Sequence, residues 1–183
     1  MAWRLALLCG LSLSMAAAPS SAQAQLEEYR VKAAFIFHFT QLVDWPAAAL
    51  ANDALPFVLC ASGDRNFSEI LAETVRGKRI GAHSMEVRAL SDSDSVADCH
   101  VLVAVGADRK RVLSTLARLK NAPVLTVGES DDFVRSGGMI GFALQENKVR
   151  FDVNLDAAQH ASLKLSSRLL VLARNVVGDS RTR

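Results

Sequence analysis

The stretch GGMIGFALQENKVRFDVN, residues 137–154, decides the fold together with LKLSSRLL at 163–170. Apolar residues alternate with smaller or polar ones on both sides of a polar turn at 145–148: Ile140, Phe142 and Leu144, then Val149, Phe151 and Val153. Alternation with a period of two predicts a β-hairpin that buries one face. Asn154 can cap the apolar segment that follows, which predicts one long helix running to Val177 and ending at Gly178.

Upstream of the hairpin, short apolar runs alternate with helical patterns. Residues 100–105 and 123–127 are continuously apolar, as in strands buried on both faces. Residues 56–61 and 85–89 predict two more strands; helices are predicted from Asn66, with Glu69 as a capping-box partner, and from Asp108. This order predicts an α/β fold, a mostly parallel sheet flanked by helices (an α/β/α sandwich) with a C-terminal β-hairpin and a long final helix.

The first 24 residues predict a secretory signal peptide rather than part of the fold. Arg4 gives a positive start, residues 5–13 form an apolar run too short to span a bilayer, and 22–24 form a small-x-small cleavage site. Residues 16–18 offer an earlier site. Residues 25–183 are then expected to form a single domain that is exported to the periplasm.

Charge and cysteine content limit the classes of partner and the cellular compartment that fit this chain. The formal net charge of the chain is +2, so losing Arg4 leaves 2 − 1 = +1. A nearly neutral chain with interspersed charges does not suggest nucleic-acid binding. Of the 3 cysteines, Cys9 leaves with the signal peptide. In an exported protein the remaining Cys60 and Cys99 favour one disulfide over two buried free thiols.

No catalytic or cofactor motif is visible in the chain. The four histidines, His38, His83, His100 and His160, lack the close helical spacing of a zinc site. There is no Gly-x-Ser-x-Gly elbow and no phosphate-binding loop of the Walker type. We expect no cofactor and no enzymatic activity.

Several residues are candidates for contact with a partner or ligand. The first helix, predicted over 26–45, is apolar nearly all round, which is typical of a helix that is buried or packs on a partner. Phe133 lies in a polar loop, so it is either an exposed anchor or a plug that closes the loop on the sheet. The candidate contact residues are Phe35, Phe39, Trp45, Phe133, Met139, Arg150 and Asn154. Arg150 faces away from the hairpin core and could pair with Asp152 or with a carboxylate elsewhere.

Many short blocks across the chain resemble the YfiR-like family of periplasmic proteins. They are Val31 to Ile36, Trp45-Pro46, Phe57 to Cys60, Gly77-Lys78, Cys99 to Leu102, Leu125 to Gly128, Phe133, Gly137 to Ile140, Val149 to Phe151, Asn154 and Leu163 to Leu170. The resemblance implies a periplasmic α/β sandwich, often a homodimer, with a structural disulfide at the positions of Cys60 and Cys99. It also implies a repressor of an inner-membrane diguanylate cyclase or a similar membrane sensor, acting on cyclic di-GMP signalling and biofilm formation. A second, redox-sensitive cysteine pair known in the family is absent from this chain.

Two other functions remain as alternatives. The first is a periplasmic small-molecule-binding or transport-accessory module with a pocket between the sheet and the final helix, using Arg150 and Asn154. The second is an enzyme whose active-site residues come together from distant positions.

Overall fold

The computed structural model of the chain describes residues 21–91, 94–119, 121–129 and 132–178. The predicted signal peptide, 1–24, lies outside these residues except for its last four, which begin the first helix. The signal peptide therefore stays a prediction.

Five α-helices and ten strands make up the described structure. The helices are α1 Ser21–Gln41, α2 Arg65–Val75, α3 Arg109–Arg118, α4 Leu155–His160 and α5 Ser167–Leu172, and a 3-10 turn covers Ala47–Leu50. The strands are β1 Val43–Asp44, β2 Phe57–Gly63, β3 Arg79–Ile80, β4 His83–Ala89, β5 Val101–Val105, β6 Leu125–Glu129, β7 Ile140–Gln145, β8 Lys148–Asn154, β9 Lys164–Leu165 and β10 Asn175–Val177.

The main sheet has eight strands in the order β10-β8-β7-β6-β5-β2-β4-β3. Strands β4, β2, β5, β6 and β7 pair in parallel, and β8 pairs antiparallel with β7 in the predicted hairpin. The prediction of a mostly parallel sheet flanked by helices is confirmed. The chain leaves β2 first toward β4 and then toward β5, so the strand order reverses between β2 and β5. Crevices at such a reversal are common ligand sites in open α/β sheets.

The two faces of the sheet carry separate apolar clusters. Because successive side chains of a strand point to opposite faces, Phe57 and Leu59 of β2 join the larger cluster, whereas Val58 and Cys60 join a smaller one. Residues of α1, α2, α4 and α5 complete the larger cluster. The smaller cluster is completed by Val96, Cys99, Leu102, Leu119 and Val124.

The predicted disulfide is present within the smaller cluster. Cys60 in β2 and Cys99, just before β5, are bonded across a Cα–Cα distance of 5.7 Å. Both residues are buried. The bond ties the loop that precedes β5 to the centre of the sheet.

The predicted long final helix is wrong. The segment folds instead into α4, β9, α5 and β10. Ser162 follows α4 with a left-handed φ of 57°, which ends that helix. Leu165 then pairs with Val43 in a two-stranded ribbon. Ser166 caps α5 by accepting a hydrogen bond from the Leu169 backbone N–H. The β-branched pair Val176-Val177 extends along β8, a conformation that such residues favour.

Two boundaries near the N-terminus also differ from the prediction. The first helix ends at Gln41 rather than Trp45, because Val43 and Asp44 pair with β9. The cap of α2 is Asp64 rather than Asn66, and its carboxylate accepts a hydrogen bond from the Phe67 N–H at 3.0 Å. Glu69 pairs with Arg65 on the helix surface instead of completing a capping box.

Candidate functional site

A polar cluster joins α1 to the carboxyl ends of β2, β5 and β6. Lys32 of α1, only 4% exposed, forms ion pairs with Glu28 one turn earlier and with Glu129 at the end of β6. The other carboxylate oxygen of Glu129 accepts a hydrogen bond from the Gly106 N–H at 3.0 Å. Nearby, the Tyr29 hydroxyl donates to Asp64 at 3.2 Å. The cluster thus anchors α1 at the point where the strand order reverses.

The surroundings of this cluster favour the protonated forms of its lysine and its tyrosine. Burial lowers the pKa of Lys32, but its hydrogen bonds to Glu129 and Glu28 raise it more, and the net pKa is raised. Burial also raises the pKa of Tyr29. At neutral pH the lysine is therefore a cation and the tyrosine is protonated. The charged hydrogen bonds of Lys32 thus join a helix to the sheet.

A polar cleft of about 610 Å³ lies beside this edge on the α3 face of the sheet. Asp108 lines it but accepts hydrogen bonds from the backbone of Lys110 and Arg111, and so caps α3. Arg111 donates from its guanidinium to the Leu90 carbonyl at 2.8 Å. Both side chains therefore already form hydrogen bonds with the backbone.

The amino edge of the sheet carries the second polar feature, a pair of histidines. The Nδ1 atom of His100 accepts a hydrogen bond from the Val58 N–H at 3.1 Å, so its Nε2 donates to the Ala49 carbonyl at 3.0 Å. His83 holds the Leu55 carbonyl through its Nδ1 at 2.9 Å. The two rings therefore fasten the segment around the 3-10 turn to the sheet.

The surroundings of His100 favour its neutral form. Its ring stacks on Phe57 with centroids 4.6 Å apart, and burial lowers the pKa of the imidazole. Since both ring nitrogens are engaged with the backbone, His100 is neither a free metal ligand nor a base for Cys99, whose sulfur is in the disulfide. Over the described ranges, no group of three His, Cys, Asp or Glu residues could hold a metal ion.

An amino-edge cleft of about 960 Å³ opens next to these histidines. Its lining includes the disulfide residue Cys99 and apolar side chains from the loop before β2, from the loop before β5 and from the end of α3. The sequence predicts a pocket between the sheet and one long final helix. The structure has short elements in place of that helix, so the predicted wall of the pocket is absent from the described residues. The Asn154 side chain holds the start of α4 to the loop before β7.

Three of the candidate contact residues lie in the interior. Phe39, Phe133 and Met139 are buried, so they are not available to a partner in this structure. Phe133 is the plug of the two alternatives: its ring fills the space over Gly128 and Gly138. An exposed anchor at Phe133 is wrong, because these two glycines leave a slot that only an inward-facing ring fills.

The other four candidates differ in their surroundings. Phe35 is half-buried, with its ring 5.7 Å from that of Phe151, and Trp45 is half-buried against Phe57 at 5.0 Å. Asn154 accepts from the Ala157 N–H at 2.9 Å and donates to the Val134 carbonyl at 3.0 Å. Arg150 is exposed.

The proposed pairing of Arg150 with Asp152 is wrong. Asp152 is instead paired with Arg174, whose guanidinium donates to both carboxylate oxygens, at 2.9 and 2.5 Å. This bond lowers the pKa of Asp152 and ties β8 to the start of β10.

The structure adds an exposed surface that the sequence pattern did not indicate. We call it the C-terminal apolar surface, and it consists of Val171 (84% exposed), Leu172 (63%), Val176 and Val177. These residues come from the end of α5 and from β10, which is the last strand at one edge of the sheet. The two adjacent valines before Gly178 are the feature of the sequence that could have predicted a strand here. A helix prediction for the whole segment places them on a helix surface instead.

The YfiR/HmsC-like family model matches residues 29–174. Members of this family are periplasmic regulators. No functionally curated protein matches the chain.

A similar solved structure is that of a conserved domain protein from Vibrio cholerae O1 biovar El Tor strain N16961, with a TM-score of 0.58 and 9% sequence identity. The alignment covers 81% of this chain but 60% of the Vibrio chain, so the two share a fold over part of the longer protein. In the part of this chain that the structure describes, no helix is both long and apolar enough to cross a membrane.

Proposed function

Because this chain belongs to the YfiR/HmsC-like family, we propose that it is a non-enzymatic periplasmic protein that represses an inner-membrane diguanylate cyclase. It would bind the periplasmic sensor part of the cyclase and favour the inactive conformation, which lowers cyclic di-GMP. A binding protein shifts such an equilibrium only by its different affinity for the two states. Loss of binding would then let the active state populate.

The observation that carries this proposal is the family match across 29–174, which includes every strand of the main sheet except the edge strand β10. The chemistry of the polar groups supports it. Lys32, Tyr29 and His100 are each engaged in hydrogen bonds that hold protein segments together. Within the described residues, no buried side-chain nitrogen or oxygen lacks a hydrogen-bond partner.

We place the contact with the cyclase at the C-terminal apolar surface. Its four exposed apolar residues lie within seven positions of the chain, with Val176 and Val177 on opposite faces of the edge strand. Exposed apolar groups of this kind commonly mark sites of protein association. Strand β10 also lies at the sheet edge, where unpaired backbone groups can accept a further strand from another protein. Val171 and Leu172 supply apolar contact beside this edge. A homodimer that uses the same surface would compete with the cyclase for it.

The test measures cyclic di-GMP in the native host with this gene deleted and then restored. We expect the level to rise on deletion and to return on restoration. Restoration with the V171S/L172S variant should leave the level high, because the substitution removes exposed apolar contact without touching the core. The matched control is Leu113→Ser, which changes an exposed apolar residue on α3.

An unchanged cyclic di-GMP level after deletion, under several growth conditions, would remove the cyclase proposal. If V171S/L172S restores the low level of cyclic di-GMP, the proposed function stands, but the C-terminal apolar surface is not the contact with the cyclase. Size-exclusion chromatography with light scattering on both variants separates loss of a homodimer from loss of the cyclase contact.

A further inference from the structure

The amino-edge cleft has the size and lining of a small-molecule site. Its volume of about 960 Å³ is at the upper end of the range for ligand pockets in proteins. Its lining includes an apolar set: Leu50, Leu55, Pro56, Val58, Leu119 and Val124. Leu55 is 58% exposed, so apolar surface remains open to water in the cleft.

The charges at this cleft are unbalanced. Arg88 of β4 and Arg118 at the end of α3 both line it, and Asp98 is the single carboxylate among the described lining residues. Arg88 approaches Asp98 only to 4.0 Å, and the two side chains are 42% and 77% exposed. Arg118 makes no ion pair with any described residue. The cleft lining thus carries two guanidinium groups and one carboxylate.

The two histidines of the cleft are already engaged, and the Asn52 and Ser95 side chains each accept a hydrogen bond from a nearby backbone N–H. His100 is held between the Val58 N–H and the Ala49 carbonyl. His83 is held by the Leu55 carbonyl, with Asp53 3.7 Å from its other nitrogen. A ligand rich in hydroxyl or amide groups would therefore find few partners on the walls. A ligand with an apolar body and one anionic group would match both the walls and the rim.

We propose that the amino-edge cleft binds an amphipathic carboxylate, a molecule with an alkyl chain and a single carboxylate. The chain would lie on the apolar set, and the carboxylate would lie between Arg88 and Arg118. Arginine suits this role because its planar guanidinium can donate two parallel hydrogen bonds to a carboxylate. The site is separate from the C-terminal apolar surface and does not depend on the cyclase proposal.

The test is isothermal titration calorimetry of the purified protein with decanoate below its micelle concentration. We expect saturable binding of one decanoate per chain, and binding at least tenfold weaker for 1-decanol, which has the alkyl chain without the charge. In the R88Q/R118Q variant, decanoate affinity should fall at least tenfold and approach that of decanol. Arg168→Gln is the matched control, since Arg168 is an exposed arginine of α5 outside the cleft.

A second variant tests the apolar part. Ala122→Phe adds a ring to the cleft lining and should weaken decanoate and decanol alike, while circular dichroism checks that the variant is folded. Absence of saturable decanoate binding would overturn the proposal. Equal affinity for decanoate in R88Q/R118Q and in the unchanged protein would overturn it too, because the rim would then contribute nothing. Neither result bears on cyclic di-GMP after gene deletion, so the two proposals fail independently.

Discussion

At the scale of single residues, the slot that holds Phe133 makes a sharp prediction. A Cβ atom added at Gly138 would lie 2.1 to 2.7 Å from three ring carbons of Phe133. The buried ring has little room to move, so we expect Gly138→Ala to destabilise the protein by about 1–3 kcal/mol, the usual cost of overpacking. Urea unfolding measures this change.

The control for this prediction is a double-mutant cycle. In a Phe133→Leu background the smaller side chain leaves room for the new methyl group, so Gly138→Ala should cost less there. Equal costs in both backgrounds would show that the glycine is needed for another reason than contact with the ring.

A second residue-scale prediction concerns His100 and pH. Its folded-state pKa is lowered, so the unfolded chain binds a proton more readily. Stability should be full above the unfolded pKa of about 6.5 and should fall as the pH drops toward the lower folded pKa. Protonation of Nδ1 also removes the acceptor of the Val58 N–H. Urea midpoints between pH 7.5 and pH 5 measure the effect.

The matched variant for this measurement is His100→Gln, which cannot titrate. Its stability should depend less on pH over the same interval. The carboxylates with lowered pKa values, Asp132 and Asp152, titrate below this interval and do not obscure it. An unchanged pH dependence in His100→Gln would assign the effect to other groups.

Local patterns predict some residues well and others not at all. Asn154 caps a helix as expected, and the helix predicted to begin at Asp108 has this residue as its cap, because a cap depends on three or four adjacent residues. Lys32 escaped prediction because its partner Glu129 is 97 residues away in the sequence. For Phe133 the sequence allows two alternatives, since a loop pattern does not say whether its aromatic side chain points inward. The two glycines that accept the ring decide this in three dimensions.

At the scale of elements, the hairpin and the C-terminal segment show where sequence patterns succeed and fail. The hairpin has two strands with the same period and a short turn, and its register pairs Phe142 with Phe151 as the alternation requires. The segment after Asn154 is apolar without a clear period. Such a pattern is compatible with one helix or with a series of short elements, so pairing with distant strands decides between them. Leu165 against Val43 and Val176 against Val153 are the contacts that decided it.

At the scale of the whole molecule, the disulfide links the loop before β5 to a central strand. The bond closes a loop with a sequence separation of 39 residues. Such a crosslink stabilises mainly by restricting the unfolded chain, with about 2–4 kcal/mol as the usual range and about 4 kcal/mol from loop length alone. We therefore expect urea unfolding of the oxidised protein to show that much more stability than the C60A/C99A variant.

The reduced protein separates the crosslink from the packing of its atoms. Reduction of the unchanged protein should lower its stability toward that of C60A/C99A, because both chains then lack the restriction in the unfolded state. The same reducing agent should leave C60A/C99A unaffected. Both sulfurs lie in the smaller cluster, which lines the amino-edge cleft, so the variant also loses a little apolar packing there. Equal stability of the oxidised and reduced forms, with both thiols shown to be free after reduction, would contradict the prediction. Such a result would mean that the cluster around β2 and α3 holds this loop in place without the bond.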